Sequence, residues 1–207
     1  MIIAIDGPTA AGKGTLSQNL AQCLHFAYLD TGSLYRAVAA KLLKLDQKSE
    51  HSLMDLAPKM AETLSYNDLN IANLREESVG QLASKIAAIP DLRKALLGWQ
   101  RNFAQNPPNF SNMMPAKGVI LDGRDIGTVV CPEAHLKFFI TASIEARAQR
   151  RYNELRAKDH NISYDKIMDD LKERDTRDSE RLFAPLKAAK DAITLDTTNL
   201  DMNEVLD

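Results

Sequence analysis

Short apolar runs alternate with longer amphipathic segments along most of the chain. The apolar runs predict β-strands at 2–6, 26–29, 119–121, 137–141 and 192–195. Segments whose apolar positions recur every three or four residues predict helices from Lys13 onward and at 33–45, 53–64, 76–88, 92–104, 144–157 and 163–182. No hairpin signal joins two strands, so we expect parallel pairing through helical crossovers. The predicted fold class is α/β, with a central parallel sheet flanked by helices.

Two stretches of the chain are predicted to be additions to this sheet core. Residues 46–104 are almost wholly helical in pattern, and residues 152–181 are dense in charge. From 145 to 181 there are ten Lys or Arg and ten Asp or Glu residues, so this region is neutral but too polar for a core. It is either a solvated pair of helices or a mobile cover over a site. We predict a single domain, 1–207, whose core comprises 1–45, 105–151 and 182–207.

Composition and charge exclude several classes of protein. The 207 residues carry 26 Lys and Arg against 28 Asp and Glu, a formal charge of -2, so net charge gives no basis for general nucleic-acid binding. No targeting segment and no run of about 20 apolar residues is visible, so no membrane association is expected. We predict a cytoplasmic monomer in a reducing compartment.

Several residue types that often carry chemistry are predicted to be structural here. Cys23 on an apolar helix face and Cys131 before a proline are expected in the core, because they form neither a disulfide framework nor a zinc pattern. Trp99 and Phe103 are four residues apart on a helical pattern and are expected to pack. The four histidines have no metal-ligand spacing and are not assigned to a site: His25, His51, His135 and His160.

Residues 7–15 have the spacing of a phosphate-binding loop. The segment Gly7-Pro8-Thr9-Ala10-Ala11-Gly12-Lys13-Gly14-Thr15 matches Gly-x-x-x-x-Gly-Lys between a buried strand and a helix. The glycines let backbone N–H groups turn toward phosphates, the helix N-terminus adds positive potential, and Lys13 supplies a charge for the outer phosphates. The Ser or Thr that usually follows the lysine is replaced by Gly14, and a hydroxyl comes one residue later at Thr15. All nine residues are predicted to bind the phosphates of a nucleotide.

An apolar strand ending in a carboxylate predicts the metal side of the same site. Residues 119–121 lead directly to Asp122, at the end of the strand where ligands of open α/β sheets bind. A carboxylate there is suited to Mg²⁺ or to its water shell, and Thr15 is the second candidate ligand. The alternative for Asp122 is a turn or a helix cap.

Four further blocks give the chain a specific resemblance. They are Asp30-Thr31-Gly32-Ser33-Leu34-Tyr35-Arg36, Ser84 followed by Arg93, Asp122-Gly123-Arg124-Asp125-Ile126-Gly127-Thr128, and Arg174-Asp175-Thr176-Arg177-Asp178-Ser179-Glu180-Arg181. Together with the Gly-Lys-Gly-Thr loop, their order and spacing resemble bacterial cytidylate kinases from residue 2 to about residue 200. The segment 66–79 is too short for the additional, partly β-stranded stretch of the longer members. The chain is also expected to stop a few residues into the last helix of the family.

The resemblance implies a P-loop kinase that transfers the γ-phosphoryl group of ATP to CMP or dCMP, with Mg²⁺, in pyrimidine nucleotide metabolism. Residues 46–104 then correspond to the monophosphate-binding segment and residues 152–181 to the lid. The implied catalytic residues are Lys13, Arg124 and Arg181. The phosphate-loop residues 7–15 are implied to bind ATP, with Arg150 on the same side. The implied CMP-binding residues are Thr31, Tyr35, Arg36, Ser84, Arg93, Arg124, Asp125, Arg174, Asp178 and Arg181.

The chemistry of the acceptor base agrees with these residues. Cytosine presents one amine donor and two acceptors, so its pocket requires a carboxylate and cationic or hydroxyl donors. Asp125, Arg93 and Ser84 supply that set, whereas uracil would turn a carbonyl oxygen toward Asp125. The guanidinium group of arginine is suited to binding phosphate. Each arginine that the resemblance assigns to a phosphate could instead pair with a nearby carboxylate on a surface helix. Asp178 could accept from ribose hydroxyls or pair with Arg174 or Arg181.

Two other functions are compatible with a phosphate loop. A kinase for another small acceptor, such as AMP, UMP or shikimate, would not need the set of Ser84, Arg93 and Asp125. A nucleotide-dependent switch would be expected to carry an Asn-Lys-x-Asp motif that reads guanine, and the sequence contains none. The sequence therefore favours the kinase for cytidine monophosphates.

Overall fold

A computed structural model describes residues 1–45, 50–70, 72–110, 114–157 and 162–206. The chain divides into two compact units. We call Met1–Leu29 with Pro107–Asp207 the sheet unit, and Asp30–Asn106 the helical unit. Parts of the two predicted additional segments, 46–49 and 158–161, lie outside the described residues, as does His160. The assignment of a core, a monophosphate-binding segment and a lid stays a prediction.

The sheet has five strands in the order β2-β3-β1-β4-β5. The strands are β1 Ile2–Asp6, β2 Ala27–Asp30, β3 Val119–Gly123, β4 Leu136–Thr141 and β5 Ile193–Asp196. β1 lies in the middle and pairs in parallel with β3 and β4, and β4 pairs in parallel with β5. Asp6 stands opposite Gly123, and Thr141 opposite Asp196, so the carboxyl ends of these strands meet at one edge. The predicted α/β class with a parallel sheet is confirmed.

Eight α-helices are found in the part of the chain that the structure describes. They are α1 Lys13–Leu24, α2 Thr31–Leu43, α3 Glu50–Glu62, α4 Glu77–Ile86, α5 Pro90–Gln105, α6 Ile144–Arg156, α7 Tyr164–Glu180 and α8 Met202–Leu206. Serine hydroxyls cap two of them: Ser143 accepts from the N–H of Ala146 at 3.2 Å, and Ser163 accepts from Lys166 at 3.4 Å. None of these helices is both long and apolar enough to serve as a membrane span.

The core of the sheet unit lies between the central strands and α1. Ile3, Ile5, Ile120 and Ile140 from three strands pack with Leu16 of α1 in one buried cluster. A second, smaller cluster holds α6 against α7 and is formed by Ala148, Ile167 and Leu171. These two clusters fix the phosphate loop above the sheet and position α7 next to α6.

Cys23 is exposed, so its predicted place in the core is wrong. The buried positions of α1 are Lys13, Leu16, Ser17 and Ala21. Cys23 comes two residues after Ala21, which rotates it by about 200° to the opposite side of the helix. Cys131 is buried, as predicted.

Beyond Asp30, the last residue of β2, the described residues of the helical unit contain no strand. Two 3₁₀-helices, Tyr66–Asn70 and Ala72–Arg75, lie in the segment 66–79. This is the segment predicted to be too short for an additional, partly β-stranded stretch. The rings of Trp99 and Phe103 are stacked, with centroids 6.2 Å apart, and Tyr66 lies 4.9 Å from Trp99. The predicted packing role of Trp99 and Phe103 is therefore confirmed.

Candidate functional site

The phosphate loop follows β1 and turns sharply at Gly7. The φ angle of Gly7 is 149°, and a Cβ atom there would lie 2.0 Å from the carbonyl oxygen of Ile140. Only glycine avoids that clash. Gly12, with φ of 90°, is the N-cap of α1, so the helix begins directly at Lys13. The loop thus ends at the positive end of a helix, as anion binding requires.

Lys13 is held inside its own loop. Its side chain is buried, and Nζ donates a hydrogen bond to the carbonyl oxygen of Pro8 at 2.9 Å. This contact fixes a positive charge over the loop. A charge in that position can neutralise phosphate oxygens without first being reorganised.

Asp122 lies beside the start of α1, on the side where Gly14 replaces the usual hydroxyl residue. It is buried, and its Oδ2 accepts a hydrogen bond from the Tyr28 hydroxyl at 2.7 Å. A Cβ atom on Gly14 would be 3.7 Å from Oδ2 of Asp122 and 3.8 Å from the Tyr28 oxygen. The side chain of Thr15 is exposed. The group beside the loop that is suited to Mg²⁺ or to its water shell is therefore the Asp122 carboxylate, an oxygen ligand of the kind that Mg²⁺ prefers.

Arg124 joins the phosphate loop to α7. Its Nη2 donates to the hydroxyl of Thr9 at 2.7 Å, and its Nε donates to Oδ2 of Asp178 at 2.9 Å. Arg147 also contacts the loop, because its Nη1 donates to the Thr9 carbonyl at 3.3 Å. Two guanidinium groups are thus brought to one residue of the loop.

Arg181 lies between two buried carboxylates. Its guanidinium nitrogens are 3.8 Å from Oδ1 of Asp125 and 3.9 Å from Oδ1 of Asp178. Burial opposes ionisation of Asp178, but Arg124, Arg174 and Arg181 outweigh it and lower the pKa of this carboxyl. Asp178 is therefore an ionised acceptor within a group of arginines.

Arg147 and Arg150 make further side-chain hydrogen bonds within the sheet unit. Arg147 donates to both carboxylate oxygens of Asp175 on α7, at 3.0 and 2.6 Å. Arg150 donates to the hydroxyl of Thr197 at 3.0 Å, and that hydroxyl lies 3.1 Å from the Ala11 carbonyl of the phosphate loop. The structure thus connects Arg150 to the loop through Thr197.

In the helical unit, Arg36 folds back onto the start of its own helix. Its Nη2 donates a hydrogen bond to Oδ2 of Asp30, the N-cap of α2. Gly32 provides the room, since a Cβ there would be 2.9 Å from Nη1 of Arg36. Nε of Arg36 is buried and has no hydrogen-bond partner among the described residues. Thr31 is buried at the first position of the helix.

The structure also brings Tyr35 and Arg93 together. The Arg93 guanidinium carbon lies 5.7 Å from the centroid of the Tyr35 ring, within cation–π range. Nη1 of Arg93 donates to the carbonyl oxygen of Ala87 at 3.2 Å. Ala87 is the C-cap of α4 and comes one turn after the buried Ser84. Arg93 and the helix that carries Ser84 are thus joined within this unit.

The whole chain matches one protein family. Residues 3–207 match the family described as cytidylate kinase. The chain is 51% identical over 205 residues to the cytidylate kinase of Paramagnetospirillum magneticum, which covers 98% of this chain and 92% of that protein. It is 48% identical over 206 residues to the cytidylate kinase of Rhodospirillum rubrum, which covers 100% of this chain and 93% of that protein.

The chain belongs to the cytidylate kinase family. The family predicted from the sequence motifs is therefore confirmed. A solved structure of an uncharacterized protein from Eubacterium ventriosum has a TM-score of 0.51 at 13% identity and covers 100% of this chain and 94% of that one. At that identity the likeness concerns the fold alone.

Sequence reasoning missed some buried groups around the cytidylate kinase motifs. Asp6 ends β1 and is 3% exposed, with its carboxylate accepting from the N–H groups of Ile126 and Gly127 at 2.8 Å each. A carboxylate at the end of a buried strand was a usable signal, because the same reasoning identified Asp122. Asp175 lies inside the block from Arg174 to Arg181, yet its pairing with Arg147 has no sequence signal. Thr197 directly follows the last strand, and its contacts likewise come only from the fold.

Asp6 should leave a measurable mark on the pH dependence of stability. Burial, with a smaller contribution from the charge of Asp125, raises the pKa of Asp6 from 3.8 to about 6. The folded protein thus binds this proton more tightly than the unfolded chain does. Its stabilising contribution is complete below pH ~4 and is lost as the pH rises to about 6, a change of roughly 3 kcal/mol.

We expect the Asp6→Asn variant to lack this decline. The measurement is chemical denaturation of both proteins from pH 4 to 7, taking the difference in unfolding free energy at each pH so that other titrating groups cancel. A difference that is constant across this range would contradict the prediction.

Proposed function

We propose that this chain transfers the γ-phosphoryl group of ATP to CMP or dCMP, giving ADP and CDP or dCDP, in pyrimidine nucleotide metabolism in the cytoplasm. The observation that carries the proposal is the ordered phosphate loop, with Lys13 held inside it, in a chain of this family. Phosphoryl transfer requires little acid–base chemistry, so positioning and neutralisation of phosphate charge are the main contributions of the protein.

Residues 7–15 bind the phosphates of ATP in this proposal. Backbone N–H groups at the start of α1 and the ammonium of Lys13 provide donors and positive charge. Arg150 acts on the ATP side, and its support is the connection through Thr197 to the Ala11 carbonyl. Arg147 contacts the loop at Thr9. We add it to the arginines on the ATP side.

Mg²⁺ fits the donors beside the loop. Asp122 would hold the ion directly or through water, and Thr15 would supply a hydroxyl. The ion would add positive charge at the phosphates of the donor. The hydrogen bond from Tyr28 orients the Asp122 carboxylate.

The acceptor phosphate is assigned to four arginines. Arg36, with Thr31 beside it at the start of α2, is proposed to bind this phosphate, and its buried Nε has donor capacity left. In the sheet unit, Arg124, Arg174 and Arg181 surround Asp178. We propose that phosphate oxygens compete with that carboxylate for these guanidinium groups, and that Asp178 also accepts from the ribose.

Cytosine recognition is assigned to Asp125, Arg93 and Ser84, with Tyr35 supporting Arg93. The carboxylate of Asp125 would accept from the exocyclic amine, while Arg93 and Ser84 would donate to the ring nitrogen and carbonyl. The contact of Arg93 with Tyr35 and with the end of α4 supports this role, because it restrains a long side chain before it binds.

A coupled assay of diphosphate formation tests the proposal. ATP with CMP or dCMP should give rapid turnover, UMP should be a poor acceptor, and AMP should give none above background. Equal rates with AMP and CMP would reject the assignment of the acceptor. Omission of Mg²⁺ should abolish turnover. Separately, size-exclusion chromatography of the protein tests the expected monomer.

Residues 152–181 should act as a lid, which gives a further prediction. Arginines near α7 contact carboxylates: Arg147 pairs with Asp175, and Arg177 pairs with Glu173 at 2.8 Å. Ligand phosphates would replace some of these carboxylates and draw the segment over the reacting groups, excluding water. A bisubstrate analogue that joins adenosine and cytidine through phosphates should therefore slow amide exchange in α7 by at least ~10-fold, far more than CMP alone.

Hydrogen–deuterium exchange on the two complexes and the free protein measures this. Arg174→Ala should reduce the protection, whereas Arg177→Ala, on the same helix and paired with Glu173, is the matched control and should retain it. Equal exchange in free and analogue-bound protein would leave the segment as a solvated pair of helices and remove the roles given to Arg150, Arg174 and Arg181.

A further inference from the structure

Asp6 is a buried carboxylate at the junction of β1 and the phosphate loop, and the chemistry above makes no use of it. Its Oδ1 accepts from the N–H of Ile126 and its Oδ2 from the N–H of Gly127, both at 2.8 Å. These are the two peptide N–H groups that come directly after Asp125. Each carboxylate oxygen thus binds one of two consecutive amides, which fixes the position and the direction of that stretch of backbone.

The backbone of Asp125 is held from its other side as well. Residues Ile126–Val130 form a π-helical turn, in which the carbonyl oxygen of Asp125 accepts from the N–H groups of Val129 at 2.9 Å and Val130 at 3.1 Å. The turn is packed tightly, since a Cβ atom on Gly127 would lie 3.1 Å from Cδ of Lys137 on β4. A change in the backbone dihedral angles of Asp125 would reorient its side chain. Such a change would require breaking these contacts or those with Asp6.

The side chain at position 6 has the right number of acceptors for this purpose. Two converging N–H donors require two acceptors and no donor, and a carboxylate provides them. Asparagine has the same length but would place an NH₂ group against one of the two amides. The buried charge is unfavourable, because burial raises the pKa of Asp6 to about 6. The double acceptor is kept at a cost in stability.

We propose that Asp6 is a positioning residue for acceptor selection, which sets the orientation of Arg124 and Asp125 by holding the turn that follows them. The proposal rests on the proposed function, in which Asp125 reads cytosine. Since Gly7 of the phosphate loop directly follows Asp6, one residue connects the strand that carries the ATP loop to the turn that carries the acceptor residues.

The test is the ratio of kcat/KM for CMP to that for UMP in Asp6→Asn. One lost acceptor at a buried amide should raise the KM for CMP and lower the ratio, each by about 10-fold, with the KM for ATP changed by less than about 2-fold. In the double variant Asp6→Asn with Asp125→Ala, the ratio should fall no further than in Asp125→Ala alone, because the two residues act through one contact.

Ile3→Ala is the matched control for lost stability. It removes a buried side chain from the same strand without touching the turn, and we expect a lower Tm with an unchanged ratio. An Asp6→Asn protein that loses stability but keeps the wild-type ratio would overturn the proposal and leave Asp6 a structural residue. A rise in the KM for ATP alone would also overturn it.

The control Asp125→Ala distinguishes a failure of the positioning role of Asp6 from a failure of cytosine recognition by Asp125. An unchanged ratio in that variant would reject the reading of cytosine by Asp125, and positioning by Asp6 with it. A lowered ratio in Asp125→Ala together with a wild-type ratio in Asp6→Asn would reject the positioning role alone. If Asp6→Asn does not fold, Asp6→Glu keeps both acceptors but displaces the turn, so it should lower the same ratio, and a wild-type ratio would count against the proposal.

Discussion

Replacement of Lys13 by alanine should lower kcat by at least ~10²-fold while the protein folds normally. The Lys13 side chain is buried and held by the Pro8 carbonyl, so its charge is in place before ATP binds. Removing a preorganised charge from a site of phosphoryl transfer costs roughly 3 kcal/mol in transition-state stabilisation. The fold should tolerate the change, because the ammonium is a buried charge whose removal leaves the strand and helix around it intact.

The measurement is kcat and KM for ATP and CMP, with thermal unfolding as the check on folding. Lys190→Ala removes an exposed lysine from the same unit and is the matched control, with turnover expected within 2-fold of the wild type. A folded Lys13→Ala protein with near-normal turnover would remove Lys13 from the catalytic residues.

Much of the sheet could be predicted because each strand is a contiguous signal. A strand of a parallel sheet is buried on both faces, so it reads as an unbroken apolar run such as 2–6. The turn Ile126–Val130 could not be predicted in this way. Its Ile-Gly-Thr-Val-Val sequence has strand propensity, and its π-helical form is held by Asp6, which is 120 residues away from Ile126. Tertiary contacts override local preference there.

For the candidate site too, what could be predicted depends on whether the contacts are local or remote in the sequence. The phosphate loop is local, so its residues could be named from spacing alone. The partners of the arginines are remote: Asp175 is 28 residues from Arg147, and Thr197 is 47 residues from Arg150. Spacing alone gave Asp178 two alternatives, the ribose or an ion pair. In the structure its carboxylate accepts a hydrogen bond from Arg124 at 2.9 Å, a partner that the helical spacing did not suggest.

Substitution of Asp125 should change which base is accepted more than it changes the best rate. Asp125 is buried, its backbone is fixed by the turn after it, and Arg181 lies 3.8 Å from its carboxylate. A buried carboxylate facing the O4 carbonyl of uracil leaves two acceptors opposed, and a site built this way can reject the wrong base by ~10⁴. In Asp125→Ala that opposition is absent, so the CMP-to-UMP ratio of kcat/KM should fall by ~10²-fold or more, with a smaller loss of kcat for CMP.

The ratio separates recognition from general damage. Arg181 loses a neighbouring carboxylate in Asp125→Ala, which should lower turnover with every acceptor alike, and this effect cancels when CMP is compared with UMP in one protein. Glu133→Ala removes an exposed carboxylate from the same unit, and its ratio should equal that of the wild type. If Asp125→Ala kept the wild-type ratio while turnover with both acceptors fell, Asp125 would act only through Arg181, and the choice of cytosine would have to come from Arg93 and Ser84.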